Sequence, residues 1–219
     1  MKQVLAIVGM GPGVSAAVAR RFGREGFTIA ALARRPDALK QQTDALAAAG
    51  VDARGYVADA ADAGAVTAAL GRVGDELGAP GVLVYNAAGV RHKPLAGLAP
   101  GELMADLQIS VGGALASVQA VLPAMKAGGG GTLLFTGGGF AFEPMPALAS
   151  LGMGKAALRN LAFSLYAELK DSGVHAATVT ICGLVKPGTP FDPDRIAECY
   201  WQLHTQPAGA YERAIQFRG

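Results

Sequence analysis

The sequence is poor in cysteine, in charge and in aromatic residues. Of 219 residues, 2 are cysteines, 16% are charged and 6% are aromatic. Cys182 and Cys199 are too few for a disulfide framework, and such sparse use is typical of a reducing cytosol. The net charge is only +2, and the sequence has no long basic stretch. Both observations argue against a nucleic-acid partner. No wholly apolar run reaches the roughly 20 residues of a membrane-spanning helix, so we expect a cytoplasmic protein without a membrane partner.

The chain also has no repeat and no low-complexity linker that would divide it. Because 51% of its residues are hydrophobic, a chain of this length can bury one substantial core. We therefore predict one domain over residues 1–219. The 31 glycines indicate tight turns and closely packed helices.

Short apolar runs alternate with segments of helix length along the whole chain. This alternation is typical of a parallel sheet with helices on both faces. The predicted strands are residues 4–8, 27–32, 53–57, 82–85, 132–135, 175–181 and 213–217. The predicted helices are residues 13–25, a segment that begins at Pro36, and residues 62–77, 100–126, 148–170 and 194–204. Right-handed connections between them give a doubly wound α/β fold.

A glycine-rich turn follows the first strand. Glycine lets the backbone approach a pyrophosphate, which then lies at the positive N-terminus of the next helix. The predicted cofactor contacts in this turn are Gly9, Gly11, Gly13 and Val14. The spacing Gly-x-Gly-x-x-Gly fails at Val14, so the motif alone is weak. A glycine-rich turn without a ligand is the alternative.

The second strand ends in two arginines. At this place, about twenty residues after the glycine turn, an acidic residue would hold the ribose of NAD. Arg34 and Arg35 stand there instead, and a guanidinium can bind the additional phosphate of NADP. We therefore predict NADP (NADPH) as the cofactor in preference to NAD. Two solvated arginines at the start of a helix are the alternative.

Further motifs resemble one large family. Asp59 follows the third strand, the sequence Asn86-Ala87-Ala88-Gly89 follows the fourth, and Lys155 lies on a later helix. With the glycine turn, and in this order, they resemble the short-chain dehydrogenase/reductase family. The resemblance implies a single Rossmann domain with a parallel seven-stranded sheet of order 3-2-1-4-5-6-7. It also implies that the cofactor is contacted by Asp59, Asn86, Ala87 and Gly89. The family further implies a homodimer or homotetramer. For Asp59, a helix cap is the alternative.

Most of the family's catalytic residues are replaced in this sequence. In the family, a tyrosine passes a proton to the substrate, a serine orients the carbonyl, an asparagine supports a proton relay, and a lysine holds the nicotinamide ribose. Lys155 matches that lysine, whereas Leu151 stands at the tyrosine, Gly138 at the serine and Ser110 at the asparagine. The resemblance therefore implies a nicotinamide site with an altered proton donor.

Several other side chains are candidates for the missing proton donor. We consider Ser110 and His92 beside Lys155 as catalytic residues, then Glu143, and more weakly Tyr85, Thr136 and Ser150. Each has an ordinary structural explanation, such as an exposed loop for His92 and a helix cap for Ser150. Residues 137–139 are glycines that leave room for a bulky ligand or for backbone amides as hydrogen-bond donors. A flexible strand exit is the alternative, and no metal site is predicted.

The segment after the sixth strand is short. The family usually has Pro-Gly there, followed by a long substrate lid, whereas residues 182–189 keep one glycine of that pair. We expect Thr189 to contact the cofactor and a small lid near residues 186–194. The cleft should consequently be open.

These observations favour an NADP(H)-dependent oxidoreductase that acts on a carbonyl or imine of a small molecule with an atypical proton donor. A catalytically inactive NADP(H)-binding sensor or partner protein is one alternative. A non-redox enzyme, a lyase or cyclase that reuses the cleft, is another. Fold alone does not decide between them.

Overall fold

Seven parallel strands form the centre of the molecule. The computed structural model describes residues 3–219, so Met1 and Lys2, which the predicted domain includes, lie outside the described residues. The strands run in the order β3-β2-β1-β4-β5-β6-β7, and every neighbouring pair is parallel. The predicted fold class and strand order are confirmed. The strands are Val4–Val8 (β1), Thr28–Ala33 (β2), Ala53–Val57 (β3), Val82–Tyr85 (β4), Gly131–Gly138 (β5), Val174–Ile181 (β6) and Ala214–Phe217 (β7).

Helices cover both faces of this sheet. They are Val14–Gly23 (α1), Pro36–Ala48 (α2), Ala63–Leu77 (α3), Pro100–Leu107 (α4), Gly113–Ala127 (α5), Ala149–Glu168 (α6) and Pro193–His204 (α7). One apolar cluster joins the sheet to α3, α5 and α6, and a second joins it to α1, α2 and α7. Because both faces are covered, all residues of β1 and β6 are buried, which explains the continuous apolar sequence of β1.

The predicted helix over residues 100–126 is interrupted. A π-helical turn, Gln108–Gly112, separates α4 from α5, and such turns often lie at functional sites. The combined stretch Pro100–Ala127 is the one helix within residues 3–219 that has the length and apolar composition to cross a membrane. In this fold α5 packs on α3, and α4 packs on α6.

Strand β5 is longer than predicted. It continues to Gly138, with Gly137 opposite Thr180 and Gly138 opposite Ile181 on β6. A Cβ atom on Gly137 would lie 2.7 Å from the Thr178 hydroxyl, so the close approach of the two strands requires glycine there. The interpretation of residues 137–139 as a flexible exit is therefore wrong for the first two glycines, which are fixed in the sheet.

The close contact of α5 with the turn after β3 gives a testable prediction. A Cβ atom on Gly113 would overlap the Ala60 carbonyl oxygen and lie 2.5 Å from the Tyr85 hydroxyl. We expect Gly113→Ala to lower the free energy of unfolding by about 1–3 kcal/mol, because α5 must shift. Gly71→Ala is the matched control: its added methyl group meets open space on α3 and should raise stability by about 0.5–1 kcal/mol. Denaturant unfolding measures both, and equal effects would contradict the prediction.

Candidate functional site

The glycine turn between β1 and α1 has the shape of an anion-binding loop. Gly9 has a φ of 90°, and a Cβ atom there would lie 2.7 Å from the Cα atom of Ala87, so only glycine fits. On Gly11 and Gly13, by contrast, a Cβ atom would meet nothing within 4 Å. The turn is therefore open to one side at the first backbone N–H groups of α1, which have no acceptor inside the helix.

Ser15 closes this turn from the inside. Its hydroxyl accepts the N–H of Gly11 at 2.9 Å and lies 3.2 Å from the carbonyl oxygens of both Gly9 and Gly11, to one of which it donates. The side chain is 1% exposed. Ser15 was not among the site residues predicted from the sequence. Its position four residues after Gly11 was the available signal, because that spacing lets a hydroxyl reach the backbone of the preceding turn.

The turn after β4 is tied both to the glycine turn and to the π-helical turn. The Asn86 side-chain amide donates to the Gly9 carbonyl oxygen at 3.0 Å, and Ala87 forms the wall beside Gly9. At the other end, the Gly89 N–H donates to the Ser110 hydroxyl at 3.1 Å. The structure thus brings together predicted residues from three separate segments of the chain, and these hydrogen bonds fix one turn against the other.

Ser110 is placed to support this turn. The side chain is 1% exposed, and a Cβ atom on Gly154 of α6 would lie 2.7 Å from its hydroxyl oxygen. The serine therefore fills the contact between the π-helical turn and α6, next to Lys155. Its hydroxyl oxygen is already engaged by the N–H of Gly89.

The remaining predicted cofactor residues lie at the same edge of the sheet. Arg34 and Arg35 are exposed after β2, and Asp59 follows β3. Since the carboxyl ends of parallel strands share one edge, these side chains lie at the same edge of the sheet as the glycine turn. The Asp59 carboxylate accepts the N–H of Ala61 at 3.0 Å. The cap of α3 is Asp62, whose carboxylate accepts the N–H of Ala65, so Asp59 does not cap that helix.

A cavity of about 1020 Å³ opens at the carboxyl ends of β5 and β6. Val14, the first residue of α1 and the one that directly follows the glycine turn, is among its lining residues. Glycines 137–139 form its floor. Its walls are mostly apolar and include Phe140, Phe142, Met145, Leu148, Ile181 and Leu184.

Lys155 lies inside this cavity with the two replaced positions around it. The side chain is 8% exposed, and its Nζ donates to the Thr136 carbonyl oxygen at 2.6 Å. Burial lowers the pKa of the Lys155 ammonium to about 8, because the charged form loses its hydration. Leu151 lies one helical turn earlier and also lines the cavity. A Cβ atom on Gly138 would lie 3.4 Å from the Lys155 Cγ, an ordinary contact.

His92 and Tyr85 lie outside the cavity, and the hydroxyl of Thr136 is engaged elsewhere. His92 is exposed and is not among the lining residues. Tyr85 is buried, its hydroxyl donates to the Ile109 carbonyl, and burial raises its pKa. Thr136 lines the cavity, but its hydroxyl shares a hydrogen bond of 2.7 Å with Tyr200.

Ser150 and Glu143 have different environments. The Ser150 hydroxyl is buried and has no hydrogen-bond partner within residues 3–219, and it does not line the cavity. Glu143 does line it, at the exposed rim. In contrast, Leu151 and Gly138, which stand at the family's tyrosine and serine positions, line the cavity together with Lys155.

The short segment after β6 folds back on itself. The Thr189 hydroxyl donates to the Lys186 carbonyl oxygen at 2.7 Å and accepts the N–H of Phe191 at 3.2 Å. Thr189 is not among the residues that line the cavity. The Phe191 ring packs directly over Gly183, where a Cβ atom would overlap it. Residues 186–194 therefore form a compact turn at the side of the cavity.

Two polar side chains that line the cavity were not predicted as site residues from the sequence. Gln216 and Arg218 come from β7 and the residue that follows it, and both line the cavity. Strand β7 pairs with β6 so that Phe217 lies opposite Ile181. The predicted order placed β7 beside β6, but the register that brings these two residues to the cavity is given only by the structure.

Comparisons with known proteins agree with this architecture. A profile of the short chain dehydrogenase family matches residues 3–195. Short-chain reductase protein NovJ of Streptomyces niveus is 31% identical over 205 residues, which cover 90% of this chain and 73% of NovJ. Oxidoreductase asL5 of Sarocladium schorii is 30% identical over 168 residues; this match covers 77% of the chain but only 66% of the length of asL5. The crystal structure of a metagenomic short-chain oxidoreductase in complex with NADP has a TM-score of 0.88 at 26% identity, covering 98% of this chain and 96% of that one.

The role of Ser15 in the glycine turn is testable by its removal. Ser15→Ala leaves the N–H of Gly11 without its acceptor, and we expect a loss of about 1–2 kcal/mol in the free energy of unfolding. Ser164→Ala, at an exposed position on α6, is the control and should change stability by less than about 0.5 kcal/mol. Thermal and denaturant unfolding provide the measurement. A Ser15→Ala protein as stable as the control would show that the turn holds its shape without the hydroxyl.

Proposed function

The chain belongs to the short-chain dehydrogenase family, and we propose that it is a cytoplasmic NADP(H)-dependent oxidoreductase that acts on a carbonyl or imine carbon of a small molecule. One observation carries this proposal. The open glycine turn leads past Val14 directly into the cavity that contains Lys155. A dinucleotide bound at the turn would therefore extend towards the one catalytic residue that the chain retains from the family.

The residues at the turn fit a phosphorylated dinucleotide. The empty space in front of Gly11 and Gly13 suits a pyrophosphate that accepts backbone N–H groups. Arg34 and Arg35 would bind the additional phosphate of NADP, since no carboxylate stands at the end of β2 to repel it. The related structure with bound NADP at 26% identity supports this choice. When bound, the cofactor would supply a hydride from its nicotinamide.

The other contacts follow from position. Asp59 would meet the adenine, the turn Asn86-Ala87-Ala88-Gly89 would line the middle of the cofactor, and Lys155 would bind the nicotinamide ribose. Lys155 has hydrogen atoms for this, because the Thr136 carbonyl uses only one of its three donors. Thr189 would first have to release the Lys186 carbonyl oxygen, to which its hydroxyl donates.

The cavity favours a bulky, largely apolar substrate. Three large hydrophobic side chains at its rim are unusually exposed: Leu184 at 82%, Met145 at 46% and Phe142 at 38%. Exposed apolar groups gathered around one opening are typical of ligand-binding grooves. The segment 186–194, proposed as a short lid, leaves this rim uncovered. Arg159 stacks on the Phe142 ring at 5.0 Å and would hold that wall in place.

A homodimer or homotetramer is part of the proposal. Met104 on α4 and Leu115 on α5 are exposed at 63% and 41%. They lie on the apolar helical stretch Pro100–Ala127, whose most apolar part is 39% buried within this chain. A partner on these helices would cover both side chains.

An inactive NADP(H)-binding protein is the second candidate. Gly138 and Leu151 favour it, because neither residue can hydrogen-bond a substrate oxygen through a side chain. Titration of the protein with NADPH and NADH, followed by a panel of aryl ketones, diketones and imines, separates the two candidates. Binding with turnover supports the oxidoreductase, binding without turnover supports the inactive protein, and a reaction without net oxidation of NADPH would indicate a non-redox enzyme.

The choice of cofactor depends on the two arginines after β2. We expect Arg34→Gln combined with Arg35→Gln to weaken NADPH binding by at least about tenfold, since a charge-assisted phosphate contact contributes more than 1.4 kcal/mol. NADH binding should change little. Arg24→Gln, at an exposed position beyond α1, is the control. Fluorescence titration measures all three proteins, and an equal loss for both cofactors would contradict the assignment.

Restoring the family's hydroxyl groups should increase turnover. A serine fits at Gly138 because its Cβ would make only ordinary contacts with Lys155, and a tyrosine at Leu151 would extend into the cavity. We expect Gly138→Ser with Leu151→Tyr to raise kcat for a ketone by up to about 10²-fold, the low end of what a positioned acid contributes. Gly138→Ser with Leu151→Phe supplies the ring without the hydroxyl and should not gain. A gain in both variants would attribute the effect to packing alone.

A further inference from the structure

Reduction of a carbonyl group requires a proton as well as a hydride, and few side chains in the cavity can provide one. Gln216 and Arg218 are exposed and bond to each other at 2.9 Å. Glu143 lies at the exposed rim. The Cys182 thiol is directed at the Thr180 carbonyl oxygen, 3.7 Å away. Cys182 is next to Gly139, where a Cβ atom would lie 3.6 Å from the Cys182 Cβ, but its thiol is directed away to that backbone carbonyl.

Lys155 lies beside the floor of glycines 137–139. Its hydrocarbon chain would be 3.4–3.7 Å from a Cβ atom on Gly138, so with glycine there no side chain stands between the lysine and a ligand. Leu151, one turn earlier on α6, offers no hydroxyl that could intervene. The ammonium is bound at 2.6 Å by one backbone carbonyl, that of Thr136, which leaves two of its N–H groups for other acceptors.

We propose that Lys155 is itself the proton donor in this cavity. The inference rests on the proposed function and extends it, because the family's lysine acts through the tyrosine that is replaced here. The carbonyl carbon accepts a hydride from NADPH, the π pair of the C=O bond moves to oxygen, and an N–H bond of Lys155 breaks as the O–H bond of the alcohol forms. The neutral amine that remains takes a proton from water in the open cavity.

The acidity of the buried amine suits this step. Burial lowers the pKa of Lys155 to about 8, and a general acid is most effective when its pKa lies near the working pH. The protonated form is required, so carbonyl reduction should be constant at low pH and decline as the pH rises through about 8.

Two acceptors separate proton donation from cofactor binding. An aryl ketone needs a hydride and a proton, whereas the N-methyl-3,4-dihydroisoquinolinium cation needs a hydride alone. At saturating NADPH, we expect Lys155→Met to lose ketone reduction by at least about 10²-fold. Reduction of the cation should be unchanged or faster, because a positive charge has been removed from its site. Equal losses for both acceptors would overturn the proposal and leave Lys155 as a cofactor ligand only.

Further variants keep the test decisive. Lys155→Gln is made in parallel, because its amide can still donate to the Thr136 carbonyl if the methionine variant folds poorly. Lys126→Met, at an exposed position on α5, is the control and should leave both rates unchanged. Cys182→Ala should leave the ratio of the two rates as in the parent protein. A selective loss of ketone reduction in Cys182→Ala would assign the proton to the thiol and overturn the proposal.

A second measurement uses the cofactor-free protein. Brief acylation with acetic anhydride over a range of pH, followed by peptide mass spectrometry, reports the neutral fraction of each amine. Lys155 should be modified with a midpoint near pH 8, with Lys126 in the same samples as the control for the reagent. A Lys155 amine that reacts only in strongly alkaline solution would overturn the proposal.

Failure of this inference can be told apart from failure of the proposed function. A protein that does not bind NADPH would refute the proposed function, whatever the acylation of Lys155 shows. A protein that binds NADPH and reduces the iminium cation, but reduces no ketone of the panel, would retain hydride transfer and refute proton donation by Lys155.

Discussion

The hydrogen bond from the Asn86 amide to the Gly9 carbonyl oxygen is the interaction on which the site depends. It joins the turn after β4 to the turn after β1, and these turns end two neighbouring strands of the sheet. Ser15 holds the first turn from inside, and Ser110 holds the second through the N–H of Gly89. A parallel sheet brings the carboxyl ends of its strands to one edge, but these side chains decide that the edge has a fixed shape rather than mobile loops.

The fold was predictable because its signal is repeated along the chain. Continuous apolar strands such as β1 and β4 alternate with helices, and this pattern is typical of a parallel sheet whose central strands are covered on both faces. The errors lie where local composition and tertiary contact disagree. Gly137 and Gly138 have the composition of a loop, yet pairing with β6 places them in a strand. The π-helical turn at Gln108–Gly112 was not predicted, because α4 before it has only 8 residues, too few to show the shift in hydrophobic periodicity that one inserted residue causes.

The site was predictable to a different degree. Residues fixed by backbone geometry, such as Gly9 with its positive φ, declare themselves through glycine. Residues that act through a side chain do not, because a hydroxyl or an imidazole has the same sequence signature whether it is exposed or buried. His92 and Thr189 are such cases: one lies outside the cavity, and the other bonds within its own turn. Arg218 was missed because its place depends on the register between β7 and β6, which sequence alone does not specify.

Keeping a lysine in this cavity has a cost that packing does not offset. The pKa of Lys155 is about 8 in the folded chain, whereas the ordinary value for a lysine is 10.5. The charged amine therefore destabilises the fold by about 3 kcal/mol at pH values below the folded pKa. This penalty decreases as the pH rises from about 8 to 10.5, because the amine of the unfolded chain then loses its proton too. A methionine or leucine would fill the same space among Leu151, Ile181 and the glycine floor without it. The Thr136 carbonyl is a single neutral acceptor and compensates only part of the lost hydration. Lys155 is a buried amine with a lowered pKa that lines a cavity, and titratable groups of this kind cluster at functional sites. The purely structural demands of this position would be met by a hydrocarbon side chain.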